Sequence, residues 1–322
     1  MQSRLERDQP HPKRSRLSLA QRETLWAYIF LLVPLAFFIG LRIYPAFQSF
    51  YLSLFSWHAD AAQREFLGME QYTRMLGDAK LHRALWNTAL YTLIIVPAQL
   101  ALGIGIALLL NSVTRFQPLF RAIYFSPYVT PAAAVAWVWG WMYSVNFGII
   151  NTFLIEWSLF WKDLGITWLS IDPQPFLTSP AQALPAVAVV VIWQGLGFQV
   201  VIFLAGLKGI PQMFYEAARI DGASRWALFR HITIPLLNPV IVFSLIISTI
   251  AALQLFDQVV NINFTDQGGP LNSTLTIALY MYQEAFSRFR LGYAAAVTVL
   301  LFAIILIVTL VQLRFASRRV EY

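Results

Sequence analysis

The chain has 322 residues, of which 58% are hydrophobic and 12% charged, against roughly 45–50% apolar and about 25% charged in an average soluble domain. That composition excludes an ordinary water-soluble fold, and 15% aromatics with a mean hydropathy of +0.60 exclude intrinsic disorder, which needs low hydrophobicity and high net charge. The absence of Cys removes disulfides, thiolate metal sites and a cysteine nucleophile, and His11, His58, His82 and His231 match no metal-ligand spacing.

One Asp, Glu, Lys or Arg at the centre of a membrane-spanning helix costs about 2.5–3.5 kcal/mol on the insertion scale. Runs lacking all four residue types therefore mark candidate spans. Six such runs reach the roughly 18 residues that a span needs: 24–41, 85–110, 122–155, 173–207, 232–256 and 291–313. The third and fourth are too long for one helix, so the spans are placed at about 24–50, 85–110, 122–144, 181–207, 235–259 and 291–313. The first continues as an amphipathic extension toward Phe55. No small-x-small cleavage site follows this run, so it reads as a retained helix and not a secretory signal. Pro34, Pro97, Pro127, Pro131 and Pro185 fall in or near the spans and predict kinks. The expected fold is all-α and polytopic, with about six transmembrane helices between a basic tail at 1–23 and a short tail at 315–322.

Of the 23 Lys and Arg, 15 fall on one side of this arrangement and 8 on the other. By the positive-inside rule, both termini, the loop 111–121 and the loop 208–231 are cytoplasmic. The net charge of +7 is then mostly topology, not a nucleic-acid surface. Segments 56–84, 145–179 and 260–290 face outward, and Trp157, Phe160, Trp161 and Trp168 suit an interfacial helix at headgroup depth.

An ion-coupled carrier needs ionisable groups inside its bundle, and Asp257 alone qualifies among acidic residues. No phosphate loop, G-x-S-x-G or H-E-x-x-H motif is present. Uphill transport would have to draw its energy from another subunit, and the chain is not expected to be an enzyme. A secondary carrier and a membrane scaffold without a pathway remain the alternatives.

The loop 208–234 is the most unusual stretch. Pro211 suits a helix start, 212–220 is helix-forming, Asp221-Gly222 breaks it, and Ser224 is placed to cap a second short helix. Phe214, Tyr215, Ala218, Trp226, Leu228 and Phe229 supply apolar surface. One reading is a hairpin lying on the membrane; the other is a docking element with Glu216, Asp221 and Arg225 as its polar rim.

Glu216-Ala217-Ala218, then Gly222, then Ile232-Thr233-Ile234-Pro235 resembles the EAA loop of the membrane-spanning subunits of binding-protein-dependent ABC importers. Ile234 departs from the Leu more usual there. Tyr44-Pro45, Ile192-Trp193-Gln194-Gly195, Leu204-Ala205-Gly206-Leu207, Phe256-Asp257, Gly268-Gly269-Pro270 and Gly292-Tyr293-Ala294-Ala295-Ala296 are similar to the carbohydrate-uptake branch, in particular the first permease of maltose and glycerol-3-phosphate type systems. The resemblance implies a bacterial or archaeal cell-membrane protein working with a second, different permease, two ATPase subunits and an extracytoplasmic solute-binding protein. It implies ATP and Mg bound by the ATPase partners and no cofactor on this chain. Glu216, Ala217, Ala218, Asp221, Gly222 and Arg225 would then couple to the ATPase.

Polar residues inside spans need partners, a cavity or a ligand. Gln254, Asp257, Gln258 and Asn261 recur at i, i+3, i+4 and i+7, the spacing of one helical stripe. On the fourth span Gln194 and Phe198 share a face, Trp193 is adjacent, and Gly195 allows close approach. Amides and a carboxylate suit sugar hydroxyls, and aromatic faces suit the apolar side of a pyranose. Interhelical hydrogen bonding is the other reading of Gln194 and Gln254. Asn87, Gln99 and Asn111 read as packing or capping groups. No Lys or Arg falls within the fourth or fifth span, which points to a neutral sugar over glycerol-3-phosphate; a permease for glycerol-3-phosphate or another polyol is the alternative.

Overall fold

In the computed structural model, residues 18–57, 64–113, 115–263 and 266–316 are described; most of the basic tail, His11, His58 and residues 317–322 lie outside that set. The chain divides into two units, Met1–Tyr51 and Leu52–Tyr322. The described part of the first, from Ser18 on, is taken up by helix α1 (Leu19–Leu52), whose last residue is counted with the second unit. Ser18 starts it with a capping box: its Oγ accepts from the Gln21 amide at 3.3 Å, and the Gln21 side chain accepts from the Ser18 amide at 2.9 Å. The helix carries Pro34 and loosens to π-type hydrogen bonding over Ile39–Ile43.

The second unit opens with a two-stranded antiparallel ribbon, β1 (Phe55–Ser56) and β2 (Glu65–Phe66), pairing Phe55 with Phe66. Helix α2 (Glu70–Leu76) leads to α3 (Ala79–Ser112), whose first turn is capped by the Asp78 carboxylate at 3.0 and 3.1 Å from the amides of Lys80 and Leu81. Next come α4 (Gln117–Val129), α5 (Ala132–Met142), α6 (Ile149–Asp163) and α7 (Pro180–Gly209). They are followed by α8 (Gln212–Ile220), α9 (Arg225–Leu253), α10 (Asp257–Ile262), α11 (Ile277–Tyr282) and α12 (Leu291–Ala316). Five of these helices, α1, α3, α7, α9 and α12, are long and apolar enough to cross a membrane.

Two elements differ from the sequence expectation. The third span, expected as one helix over 122–144, is α4 and α5 with a break at Thr130-Pro131. Pro131 has no amide hydrogen to donate and holds φ at −53°. The fifth span, expected to run to 259, ends at Leu253. Gln254, Leu255 and Phe256 leave the helical path, with Phe256 at φ −136°, and the Leu255 carbonyl accepts instead from the Thr276 hydroxyl at 2.8 Å.

The core follows from small residues that let helices approach. A Cβ at Gly103 of α3 would stand 2.7 Å from the Gln199 Cβ of α7, and one at Gly197 of α7 would stand 2.3 Å from the Tyr124 carbonyl oxygen of α4. Tyr91, Ile95, Val187, Val190, Leu253, Ile277 and Val297 fill one apolar cluster; Ala107, Val200, Phe203, Leu204 and Leu237 fill another. Neighbouring α3 and α7 run parallel, so the start of α3 lies at the end of the bundle opposite α8.

At that end Asn87 donates to the carbonyls of Asn272 (2.8 Å) and Leu275 (3.0 Å), and Thr88 accepts from the Ile277 amide at 3.0 Å. These bonds seat the 268–277 turn on α3. Nearby, the buried Glu284 pairs with Arg288 and Arg290. The Asp78 carboxylate also accepts from the hydroxyls of Tyr280 and Tyr293, the latter at 2.7 Å.

Helix α6 is pinned to the return segment before α7. Asn151 accepts from the Gln174 amide at 2.7 Å and donates to its carbonyl at 3.0 Å. Ser158 exchanges two 2.7 Å bonds with the Ile171 backbone. Phe153, Trp157, Phe160 and Trp168 remain exposed, as an interfacial aromatic helix would present them.

Candidate functional site

The break in the third span leaves helix-terminal carbonyls inside the bundle, where each must find a donor. Gln194, midway along α7, supplies one: its amide donates to the Thr130 carbonyl at 3.1 Å, while its oxygen accepts from the Gln258 amide of α10 at 2.9 Å. Gln194 thus brackets two irregular segments, the α4–α5 break and the start of α10. Gly195 matters for the same reason, because a Cβ there would stand 2.1 Å from the Gln99 amide nitrogen. Gln99 in turn donates to the Val191 carbonyl at 3.0 Å.

These irregular segments line a half-open cavity of about 560 Å³ midway along the bundle, within the range of small-molecule sites. Its wall includes Gln99, Tyr128, Thr130, Gln194, Gly195, Phe198, Gln199, Ser248, Gln254, Phe256, Asp257 and Gln258. Tyr128 and Phe198 stack with ring centroids 5.3 Å apart and planes 25° from parallel, a flat aromatic surface beside a polar rim. Toward the α8 end, Gln199 is hydrogen-bonded to Ser244 and Ser248 of α9, so its amide is already satisfied. Gln254 and Asp257, at the break after α9, are exposed to the cavity.

Six of the eight expected contact residues therefore meet at one place: Gln194, Gly195, Phe198, Gln254, Asp257 and Gln258. They do not form one helical stripe, because the helix that would carry it is broken at 254–256. Two residues fall outside the wall. Trp193 packs edge-on against Trp139 at 5.5 Å, and Asn261 folds back to donate to the Asp257 carbonyl at 2.8 Å. Tyr128 and Thr130 were not singled out by sequence reasoning; the Thr-Pro pair inside an overlong apolar run was the available signal.

The second feature is the loop pair α8 and α9. Helix α8 closes in a Schellman motif: the Ala223 amide donates to the Ala218 carbonyl at 2.9 Å and the Gly222 amide to the Arg219 carbonyl at 3.0 Å. Gly222 sits at φ +81° with nothing within 4 Å of an added Cβ, so conformation and not space requires glycine there. Ser224 Oγ then caps the start of α9, accepting from the Ala227 amide at 3.3 Å. The Tyr215 hydroxyl lies 3.1 Å from that of Thr233 and ties α8 to the root of α9. Glu216, Ala217, Asp221, Gly222 and Arg225 are exposed and Ala218 is half-buried. The bare apolar surface on this pair is large, with Ile220 86% and Trp226 66% exposed.

Residues 99–321 match the family model for the binding-protein-dependent transport system inner membrane component. The chain is 38% identical over 288 residues to the sulfoquinovosyl glycerol transport system permease protein of Agrobacterium fabrum, covering 89% of each chain. It is 33% identical over 307 residues to the lactose transport system permease protein of Rhizobium radiobacter, covering 95% of this chain and 98% of that one. Among solved structures, a bacterial ABC transporter chain involved in importing the acidic polysaccharide alginate superposes with a TM-score of 0.77 at 22% identity, covering 93% of this chain and 98% of that one. A second structure of a bacterial alginate ABC transporter, in complex with an alginate pentasaccharide-bound periplasmic protein, gives a TM-score of 0.76.

Proposed function

This chain belongs to the family of inner membrane components of binding-protein-dependent transport systems, and we propose from that premise how its cavity and its exposed helix pair divide the work of import. It is a multi-pass membrane permease subunit of a carbohydrate-uptake ABC importer, and it is not itself an enzyme. In our reading both termini and the α8–α9 pair are cytoplasmic, a placement that the Lys and Arg asymmetry supports. The pair docks on one of two ATPase subunits, which bind ATP and Mg, while a second permease completes the pathway and an extracytoplasmic binding protein delivers substrate. The ion-coupled carrier and the glycerol-3-phosphate permease are not favoured.

The bare apolar surface on α8–α9, rimmed by Glu216, Asp221 and Arg225, supports the docking role. A helix closed by a Schellman motif and tied to α9 through Tyr215 moves as one body with that helix, which carries force from the ATPase to the break at 254–256. Relatives differ in what their names state they carry, from lactose to sulfoquinovosyl glycerol and diacetylchitobiose, so the saccharide itself is not set by family.

The observation that carries the pathway is the cavity, where an aromatic stack faces amides and a carboxylate at the point where two membrane helices are broken. Replacing Gln254 and Gln258 by Leu tests it. We expect sugar uptake by the assembled importer to fall at least tenfold; unchanged uptake with intact assembly would remove the saccharide pathway from this cavity.

A further inference from the structure

We propose that Tyr282 and Phe286 form an outer saccharide subsite, an aromatic lead-in that sugar rings cross between the outer face and the break after α9. The inference rests on the cavity being the saccharide pathway. Phe256 belongs to the cavity wall. Its ring centroid lies 5.2 Å from that of Tyr282, and the Tyr282 ring lies 5.0 Å from that of Phe286, with planes tilted by 54° and 40°. The three rings form one row that starts in the wall. Exposure rises along it, from the half-buried Phe256 through Tyr282 at 38% to Phe286 at 63%.

The backbone holds this row in place. The Thr276 hydroxyl caps α11, accepting from the Leu279 amide at 3.2 Å, and donates to the Leu255 carbonyl at 2.8 Å, so the helix that carries Tyr282 is tied to the break that carries Phe256. The other face of this segment is committed to the protein, with Leu279, Tyr280 and Glu284 buried and Glu284 paired with Arg288 and Arg290. Tyr282 and Phe286, four residues apart, stand on its bare face at the end of the bundle opposite α8. A pyranose has an apolar C–H face that lies flat on an aromatic ring while its hydroxyls stay in water, so a row of rings passes sugar along at little desolvation cost. The row carries no charge and serves neutral and acidic sugars alike; it is this chain's side of an entrance that the second permease completes. An aromatic anchor at headgroup depth uses the same residue types but faces lipid, and a row that begins in the cavity wall favours the pathway.

The test uses the assembled importer, with its partner subunits, in lipid nanodiscs and without the binding protein. The chain has no Cys of its own, so Tyr282→Cys and Phe286→Cys report directly: a charged thiol reagent that does not enter lipid should label both, read by the mass of this chain. Lactose is then titrated, with binding read by saturation-transfer NMR. The double variant Tyr282→Ala, Phe286→Ala should bind lactose at least fivefold more weakly than the parent, whereas Tyr282→Phe with Phe286→Tyr, which keeps both rings, should stay within about twofold of it. Resistance of both cysteines to the reagent, or lactose binding that the alanine variant leaves unchanged, overturns the inference. If Gln254→Leu with Gln258→Leu weakens lactose binding while the alanine variant does not, the lead-in alone fails and the cavity stands; if neither variant weakens it, the saccharide pathway fails with the lead-in.

Discussion

Gly197→Ala probes the helix contact that positions the cavity wall. The added Cβ would fall 2.3 Å from the Tyr124 carbonyl oxygen and 2.8 Å from the Phe125 Cα, both backbone atoms of α4. Ordinary contact begins near 3.4 Å, so α4 must retreat from α7 by about 1 Å. Overpacking of this kind costs about 1–3 kcal/mol, and an unyielding backbone belongs at the upper end. The better helix propensity of Ala returns about 1 kcal/mol, leaving a net loss of about 2 kcal/mol. The shift also moves Tyr128 and Thr130, so the Gln194–Thr130 bond and the Tyr128–Phe198 stack should both loosen. Gly105→Ala is the control, because nothing lies within 4 Å of its Cβ; it should be neutral or slightly stabilising. Thermal unfolding of the detergent-solubilised importer, monitored by size-exclusion chromatography, together with uptake in cells, separates the two. If Gly197→Ala behaved as Gly105→Ala does in both assays, the close approach of α4 and α7 would be wrong.

Asp78→Ala removes the acceptor for two buried tyrosine hydroxyls, those of Tyr280 and Tyr293, at a cost of about 1–3 kcal/mol for each one left unpartnered; a lowered unfolding temperature checks it. Burial acts to raise the Asp78 carboxyl, but hydrogen bonds from Tyr280, Tyr293, Leu81 and Lys80 outweigh it and hold the group below its ordinary value. The stabilisation is therefore fully present above the unfolded-state value near 3.9 and is lost only as pH falls through the lower folded value. Unfolding temperature should be insensitive to Asp78→Asn titration effects between pH 5 and pH 8, in the sense that the parent–variant difference stays constant over about that range and shrinks only in stronger acid. Tyr215→Phe deletes the link to Thr233, worth about 0.5–1.5 kcal/mol, and should leave assembly intact while lowering the uptake obtained per ATP hydrolysed. Gln199→Leu strands the hydroxyls of Ser244 and Ser248 and should destabilise the α7–α9 contact by about 1–3 kcal/mol in the same unfolding assay.

Much of this architecture is legible in the sequence because lipid imposes a simple rule: a long run without ionised side chains becomes a helix. Such a run underlies α3, α7 and α12. The loop pair is legible for a different reason, since Pro211, Gly222 and Ser224 each have a local backbone role that depends on little else. The breaks are what hydropathy does not reveal. Thr130-Pro131 and Gln254–Phe256 lie inside apolar runs, and their departure from helix depends on distant partners, Gln194 for the first and Thr276 for the second. Periodicity at 254–261 presumes a continuous helix; the break after Leu253 sets Gln254 off from α10, where Asp257 and Asn261 still share a face and the Asn261 amide is taken up by the Asp257 carbonyl. Trp193 is adjacent to Gln194 in sequence, yet the helix rotates it away toward Trp139. The Asp78–Tyr280–Tyr293 cluster joins residues about 200 positions apart, and no local pattern announces it.

The most direct test is to purify the tagged chain in mild detergent from its native cells, beside a Gly222→Pro variant. Proline cannot take the φ of +81° found at residue 222, so the variant should lose the Schellman closure of α8 while the membrane helices stand. The account predicts that the parent brings with it an ATPase subunit and a second permease, and that the variant keeps the permease but loses the ATPase. A variant that retains the ATPase and full ATP-driven uptake would contradict the coupling role of this loop, and a parent that purifies alone yet transports sugar without ATP would contradict the central claim.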